Sequence, residues 1–130
     1  ESRRGRKFVI TGDTEPCELA LVAAHEAELL VHEASFADDE ALRAHETKHS
    51  TAREAAKLAA EAHVRMLALV HISSRYHVGA VLEEAREEFP DAIAPRDFDV
   101  VEIPFPERGE PRLVERGAKQ GAAAPRDPAA

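Results

Sequence analysis

Sulfur and large aromatic rings are scarce in this chain: one cysteine (Cys17), one methionine, one tyrosine and no tryptophan among 130 residues. A single thiol excludes an intrachain disulfide and leaves a cysteine-built zinc site without its ligands, so any metal here must rest on histidine and carboxylate. Lysine is also rare, at positions 7, 48, 57 and 119, and the formal charge is −8 with histidine neutral. That balance argues against nonspecific nucleic-acid binding over the whole surface. It leaves room for local basic groups, such as Arg3, Arg4, Arg6 and Lys7 near the start and Arg75 in the middle of the chain. There is no run of about eighteen apolar residues and no charged, apolar, then small-residue leader, so neither a membrane span nor a signal peptide is supported. The expectation is a cytoplasmic protein with no membrane partner.

What is present is a regular alternation. Lys7 to Thr11 is β-branched and aromatic and meets Gly12, as a strand ending in a turn does. From Pro16 to Glu28, Leu19, Val22, Ala23 and Ala27 recur at helical spacing. Leu29-Leu30-Val31 has the form of a buried strand and delivers His32-Glu33 at its end. Ala37 to Glu46 reads as a short charged helix or a mobile segment. Thr51 to His63 reads as a strong helix, with Ser50 or Thr51 as its cap and Glu54 at capping-box spacing. Met66 to Val70 is a second buried strand, leading directly into His71. His77 to Phe89 forms a helix stopped by Pro90, with Val78, Val81, Leu82 and Ala85 on one face. Phe98 to Ile103 is a last, alternating strand.

Strands alternating with helices predict an α/β layer with parallel strands. Residues 1–105 are expected to hold the folded unit. From Pro106 to residue 130 the composition is Pro, Gly, Ala and charge, and a disordered tail is expected.

Four polar clusters stand at or just after the predicted strands and loops: Gly12-Asp13-Thr14, His32-Glu33-Ala34-Ser35, His49-Ser50-Thr51 and His71-Ile72-Ser73-Ser74-Arg75-Tyr76. In open α/β sheets ligands gather at the carboxyl ends of strands. Asp13 there is either a cation ligand or an Asx turn ahead of Pro16. His71 is a metal ligand fixed by its strand, or a histidine bonded to a backbone carbonyl. His49 precedes a helix N-terminus, where amides and the Ser50 or Thr51 hydroxyl suit a phosphate and the imidazole suits proton transfer. Glu33 either orients His49 or accepts a surface hydrogen bond, and Arg75 suits an anionic oxygen or a plain salt bridge.

Taken in order, GDT, HEAS, HST before an alanine-rich helix, LALVHISSRY, and a helix ending in FP before DFD resemble the C-terminal half of ribonuclease Z. That family comprises the tRNA 3′-processing endonucleases of the metallo-β-lactamase superfamily, and the resemblance runs from about Arg6 to Ile103. It implies an αββα sandwich, of which this chain holds the C-terminal αβ half, two zinc ions at the sandwich edge, precursor tRNA as substrate and a homodimer. By the same resemblance Asp13 and His71 are metal ligands, and His49 is the proton donor with Glu33 as its orienting partner. Arg75, with Ser50 and Thr51, holds the substrate phosphate. Ser35 stands where the family usually has threonine.

The family's His-x-His-x-Asp-His motif is absent from these residues. A catalytic zinc takes about three protein ligands, and Asp13 with His71 makes two. The chain is therefore expected to carry part of an active site, as a fragment or a truncated gene product, and to be inactive alone. Two other readings fit the same residues: another metallo-β-lactamase-fold phosphodiesterase or arylsulfatase-like hydrolase, and a non-catalytic half-domain serving as an interaction module.

Overall fold

A computed structural model describes residues 2–117. Its centre is a four-stranded, all-parallel sheet in the order β1-β2-β3-β4: β1 Phe8–Ile10, β2 Leu29–Glu33, β3 Met66–Val70 and β4 Ala92–Ile93. Strand order follows chain order, so every crossover packs its helix on one face. The register pairs Phe8 with Leu29, Leu29 with Met66 and Leu67 with Ala92. Leu30, Leu67 and Leu69 therefore point to the helix side, and Leu29, Met66 and Ala68 to the other.

Among the described residues four α-helices follow the strands: α1 Glu18–Ala24, α2 Ala41–Thr47, α3 Ala52–Glu61 and α4 Val78–Glu88. α3 starts as its sequence predicts. Thr51 accepts from the Glu54 backbone N–H at 3.1 Å while the Glu54 carboxylate accepts from the Thr51 N–H at 3.0 Å, a complete capping box. The core between helices and sheet is largely alanine: Ala20, Ala24, Ala52, Ala55, Ala56 and Ala59 are buried around Leu30, Leu67, Leu69 and Val81. Side chains this small let the helices lie close to the sheet and to each other.

That close approach overturns the expected face of α1. Leu19 and Val22 were expected on its buried side, but they are exposed, and Ala20 and Ala24 face the core instead. The sequence also gave no sign of β4, which is two residues long, and the predicted strand at 98–103 does not join the parallel sheet. It forms β5 (Val100–Glu102), antiparallel to β6 (Arg112–Val114). Val101, Ile103 and Leu113 of this hairpin cover Leu29, Met66, Ala68 and Ile93 on the sheet's second face. The expected boundary at residue 105 falls in the connection between β5 and β6. The folded part runs on to β6 because Leu113 has an apolar surface to cover. The rest of the expected tail, 118–130, lies outside the described residues.

Toward β1 the second face stays open, with Phe8 and Ile10 more than half exposed. No helix among the described residues is long and apolar enough to cross a membrane.

Candidate functional site

Three loops meet at the carboxyl end of the sheet. β2 runs into Ala34-Ser35-Phe36, and this segment is held on one side by β3, through Ala34 N–H to Val70 O at 2.9 Å and Ser73 N–H to Ser35 O at 3.3 Å. On its other side lies the His49-Ser50-Thr51 loop, joined by Ala52 N–H to Phe36 O at 3.0 Å and by a parallel bridge between Phe36 and Thr51. α2 delivers that loop by ending on Lys48 in the left-handed region (φ 60°), which reverses the chain just ahead of His49. The third loop carries Asp13 and is fastened at Thr14. Its N–H donates to Glu33 Oε1 at 2.9 Å, and its carbonyl accepts from Ser50 Oγ at 2.7 Å.

Glu33 is the hub. It is fully buried, and its carboxylate accepts from the backbone N–H groups of Thr14, Ser35 and Ser50, from Ser35 Oγ at 2.7 Å and from His49 Nδ1 at 2.6 Å. Burial opposes ionisation of this group, but the hydrogen bonds from Ser35, Ser50 and His49 together outweigh it and hold the carboxyl below its usual range. Glu33 is thus an anion with its lone pairs engaged inside the fold.

Around the hub stand two parallel imidazoles. The rings of His49 and His71 stack at 5.6 Å between centroids and 18° between planes. His71 itself sits in the left-handed region (φ 56°), immediately after β3. Its Nδ1 lies 2.8 Å from Ser35 Oγ and 3.7 Å from Asp13 Oδ1. Asp13, Glu33, His49 and His71, far apart in the sequence, are therefore brought together.

The remaining expected residues are placed differently. Arg75 pairs with Glu40 at 3.3 Å and lies over the Phe36 ring. Ser50 and Thr51 are buried, and both hydroxyls are engaged, Ser50 on the Thr14 carbonyl and Thr51 in the capping box. The amides of residues 50, 51, 52 and 54 are likewise taken by Glu33, Glu54, Phe36 and Thr51. The expected phosphate cradle at the start of α3 is closed, because the N-cap chemistry that builds the helix uses its donors. Ser35, conversely, was noted in the sequence only as a stand-in for threonine, yet it touches Glu33, His49 and His71 at once.

Glu33, His49 and His71 form the compact trio of potential metal donors among the described residues. A cation among them would have to displace the donors that already saturate Glu33, so they make a poor metal site. Asp13 and His71 have the better chemistry, since carboxylate oxygen and imidazole nitrogen suit a borderline cation such as zinc and both side chains are more than half exposed. They fit one edge of a zinc site and are too few to complete it.

No family model matches the chain. Curated relatives do. The chain is 52% identical over 109 residues to ribonuclease Z of Gemmatimonas aurantiaca, covering 82% of this chain and 35% of that protein. It is 51% identical over 111 residues to ribonuclease Z of Halorubrum lacusprofundi, covering 83% and 36%. Among solved structures, human tRNase Z, short form, superposes with a TM-score of 0.63 at 32% identity over 78% of this chain and 36% of that one. A metallo-β-lactamase fold protein of Bacillus subtilis gives 0.63 at 24% identity over 68% and 36%, a likeness of fold alone. The chain spans about a third of the length of the curated relatives it matches. Near 50% identity over four fifths of its residues places this chain in the ribonuclease Z family, as a partial-length member carrying part of a metallo-β-lactamase fold.

Proposed function

We propose that this chain supplies the proton-donating wall and two metal ligands of a zinc-dependent endoribonuclease that removes the 3′ trailer from precursor tRNA. The observation that supports it most is the 2.6 Å pair between His49 Nδ1 and a fully buried Glu33, next to the exposed Asp13 and His71. A buried carboxylate accepting from one imidazole nitrogen fixes the ring and leaves its other nitrogen free to face the substrate, the arrangement that general acid–base catalysis uses.

In this reading His49 donates a hydrogen bond from Nδ1–H to Glu33 Oε1 and transfers a proton from Nε2 to the departing 3′ oxygen. The hydrogen bond to Glu33 sets the orientation of the His49 ring. Asp13 and His71 hold metal together with ligands from the part of the enzyme that this chain does not span. Zinc, when bound, supplies Lewis-acid polarisation of the phosphodiester and activation of the attacking water. Arg75 exchanges Glu40 for the substrate phosphate, a bidentate acceptor that competes well for a guanidinium. Ser50 and Thr51 act through the scaffold rather than on the phosphate. Two zinc ions per complete site, a homodimer and a cytoplasmic location complete the proposal, which for these parts rests on family membership.

The test is complementation. The purified 130-residue chain is assayed on precursor tRNA alone and with a second polypeptide corresponding to the other two thirds of the Gemmatimonas relative, with and without chelator. Alone it should bind zinc weakly and cleave nothing, while the assembled pair should process in a chelator-sensitive way. In the pair, His49→Ala should reduce turnover by about 10²-fold or more with zinc retained, whereas Asp13→Ala should lose zinc by elemental analysis. Processing by the isolated chain would overturn the shared-site reading. A stable pair with bound zinc and no processing would overturn the endoribonuclease itself.

A further inference from the structure

The buried Glu33 carboxylate reaches two imidazoles, one directly and one through a hydroxyl. The hydrogens available around Ser35 decide what that second link does. Ser35 Oγ has one hydrogen and three close polar neighbours: Glu33 Oε2 at 2.7 Å, His71 Nδ1 at 2.8 Å and His49 Nδ1 at 3.3 Å. A carboxylate can only accept, and a hydroxyl donating to an anion makes the stronger, charge-assisted bond. The Ser35 hydrogen therefore goes to Glu33. His49 Nδ1 already donates to Glu33 Oε1 at 2.6 Å, so it carries its own proton and needs none from Ser35. What remains at 2.8 Å is a hydroxyl lone pair facing His71 Nδ1, and two lone pairs at that distance repel. His71 Nδ1 must bear the hydrogen.

We propose that Ser35 is a positioning residue that fixes His71 in its Nδ1–H tautomer by relaying the charge of Glu33, which leaves the lone pair on Nε2. One buried anion then sets two stacked rings in the same tautomer, His49 at first hand and His71 at second. Five donors saturate Glu33, so its orientation cannot change to suit a different tautomer without losing backbone hydrogen bonds. Asp13 is the competing explanation, but its Oδ1 stands 3.7 Å from the same nitrogen, beyond a hydrogen bond. The assignment concerns the chain's own rings and holds whether or not the endoribonuclease reading does.

The experiment is nitrogen NMR of the ¹⁵N-labelled 130-residue chain at about pH 8.5, where ordinary imidazoles are neutral. His71 and His49 are assigned by comparison with His71→Gln and His49→Gln. In the unsubstituted chain both rings should give the Nδ1–H pattern. Ser35→Ala should shift His71 toward the Nε2–H form that a free imidazole prefers and leave His49 unmoved. Ser35→Thr, which keeps the hydroxyl, should retain the original pattern. An Nε2–H ring at His71 in the unsubstituted chain overturns the assignment. So does a His71 pattern that survives Ser35→Ala but is lost in Asp13→Asn, which would pass the role to Asp13.

Discussion

A buried imidazole beside the hub makes the fold acid-sensitive. His32 is fully buried on the helix side of β2; its Nδ1 lies 2.8 Å from the Glu33 carbonyl, and its Nε2 has no partner among the described residues. Burial pushes its pKa down, against the smaller raising effects of the Glu33 carbonyl and of the Glu33 and Glu54 charges. As pH falls below about 6.5 the unfolded chain takes up a proton that the folded chain resists. Stability is therefore full above that pH and is lost as the pH drops toward the depressed folded value. Urea midpoints measured from pH 7.5 to 5 should fall for the natural chain and stay flatter for His32→Leu; equal slopes would count against the argument. His71 makes a second prediction. In the left-handed region a side chain costs about 1–2 kcal/mol that glycine avoids, so His71→Gly should be more stable than His71→Ala by about 1 kcal/mol, read from the same midpoints. The nearness of Asp13, Glu33 and His71 was legible because strand ends are visible as apolar runs, and that of His49 because it precedes a helix start; their roles stay proposals. The link through Ser35 was not legible, since three-way contact of one hydroxyl depends on how three loops stack.

Helices and strands were legible where one chemistry dominated a run. Met66 to Val70 and the capping box of α3 are examples, because an unbroken apolar strand and a Thr-x-x-Glu start each satisfy a local physical demand. The face of α1 was not, since choosing alanine over Leu19 and Val22 requires knowing that α3 beside it is also alanine-faced. β4 and the hairpin partners were hidden for the same reason: two residues hold no period, and β6 becomes a strand only because β5 offers it a ladder. The hairpin gives an element-scale prediction. A chain ended at residue 105 loses β6 and with it the cover that Leu113 provides to Leu29, Met66 and Ile93. It should unfold at a lower urea concentration than a chain ended at residue 117, and matching midpoints would show that the hairpin is not part of the cooperative unit.

At the scale of the molecule, one side of the sheet is sealed by helices and the other only in part. Phe8 and Ile10 stand exposed on the edge strand β1, the arrangement that invites pairing with another sheet or another chain. The isolated chain should associate in sedimentation experiments as concentration rises, and the double change Phe8→Lys, Ile10→Lys should return it to a monomer; a monomeric natural chain would mean that the face is covered from within. The sealed side has a different character. Its helix faces are lined largely with alanine, which leaves little space in which to add bulk against Leu30, Leu67 and Leu69. The bulk added by Ala55→Leu acts as a wedge between α3 and the sheet and strains the contacts across the layer. Closeness of approach, set by alanine, is therefore what this layer holds constant, and growth at its helix faces is what it resists.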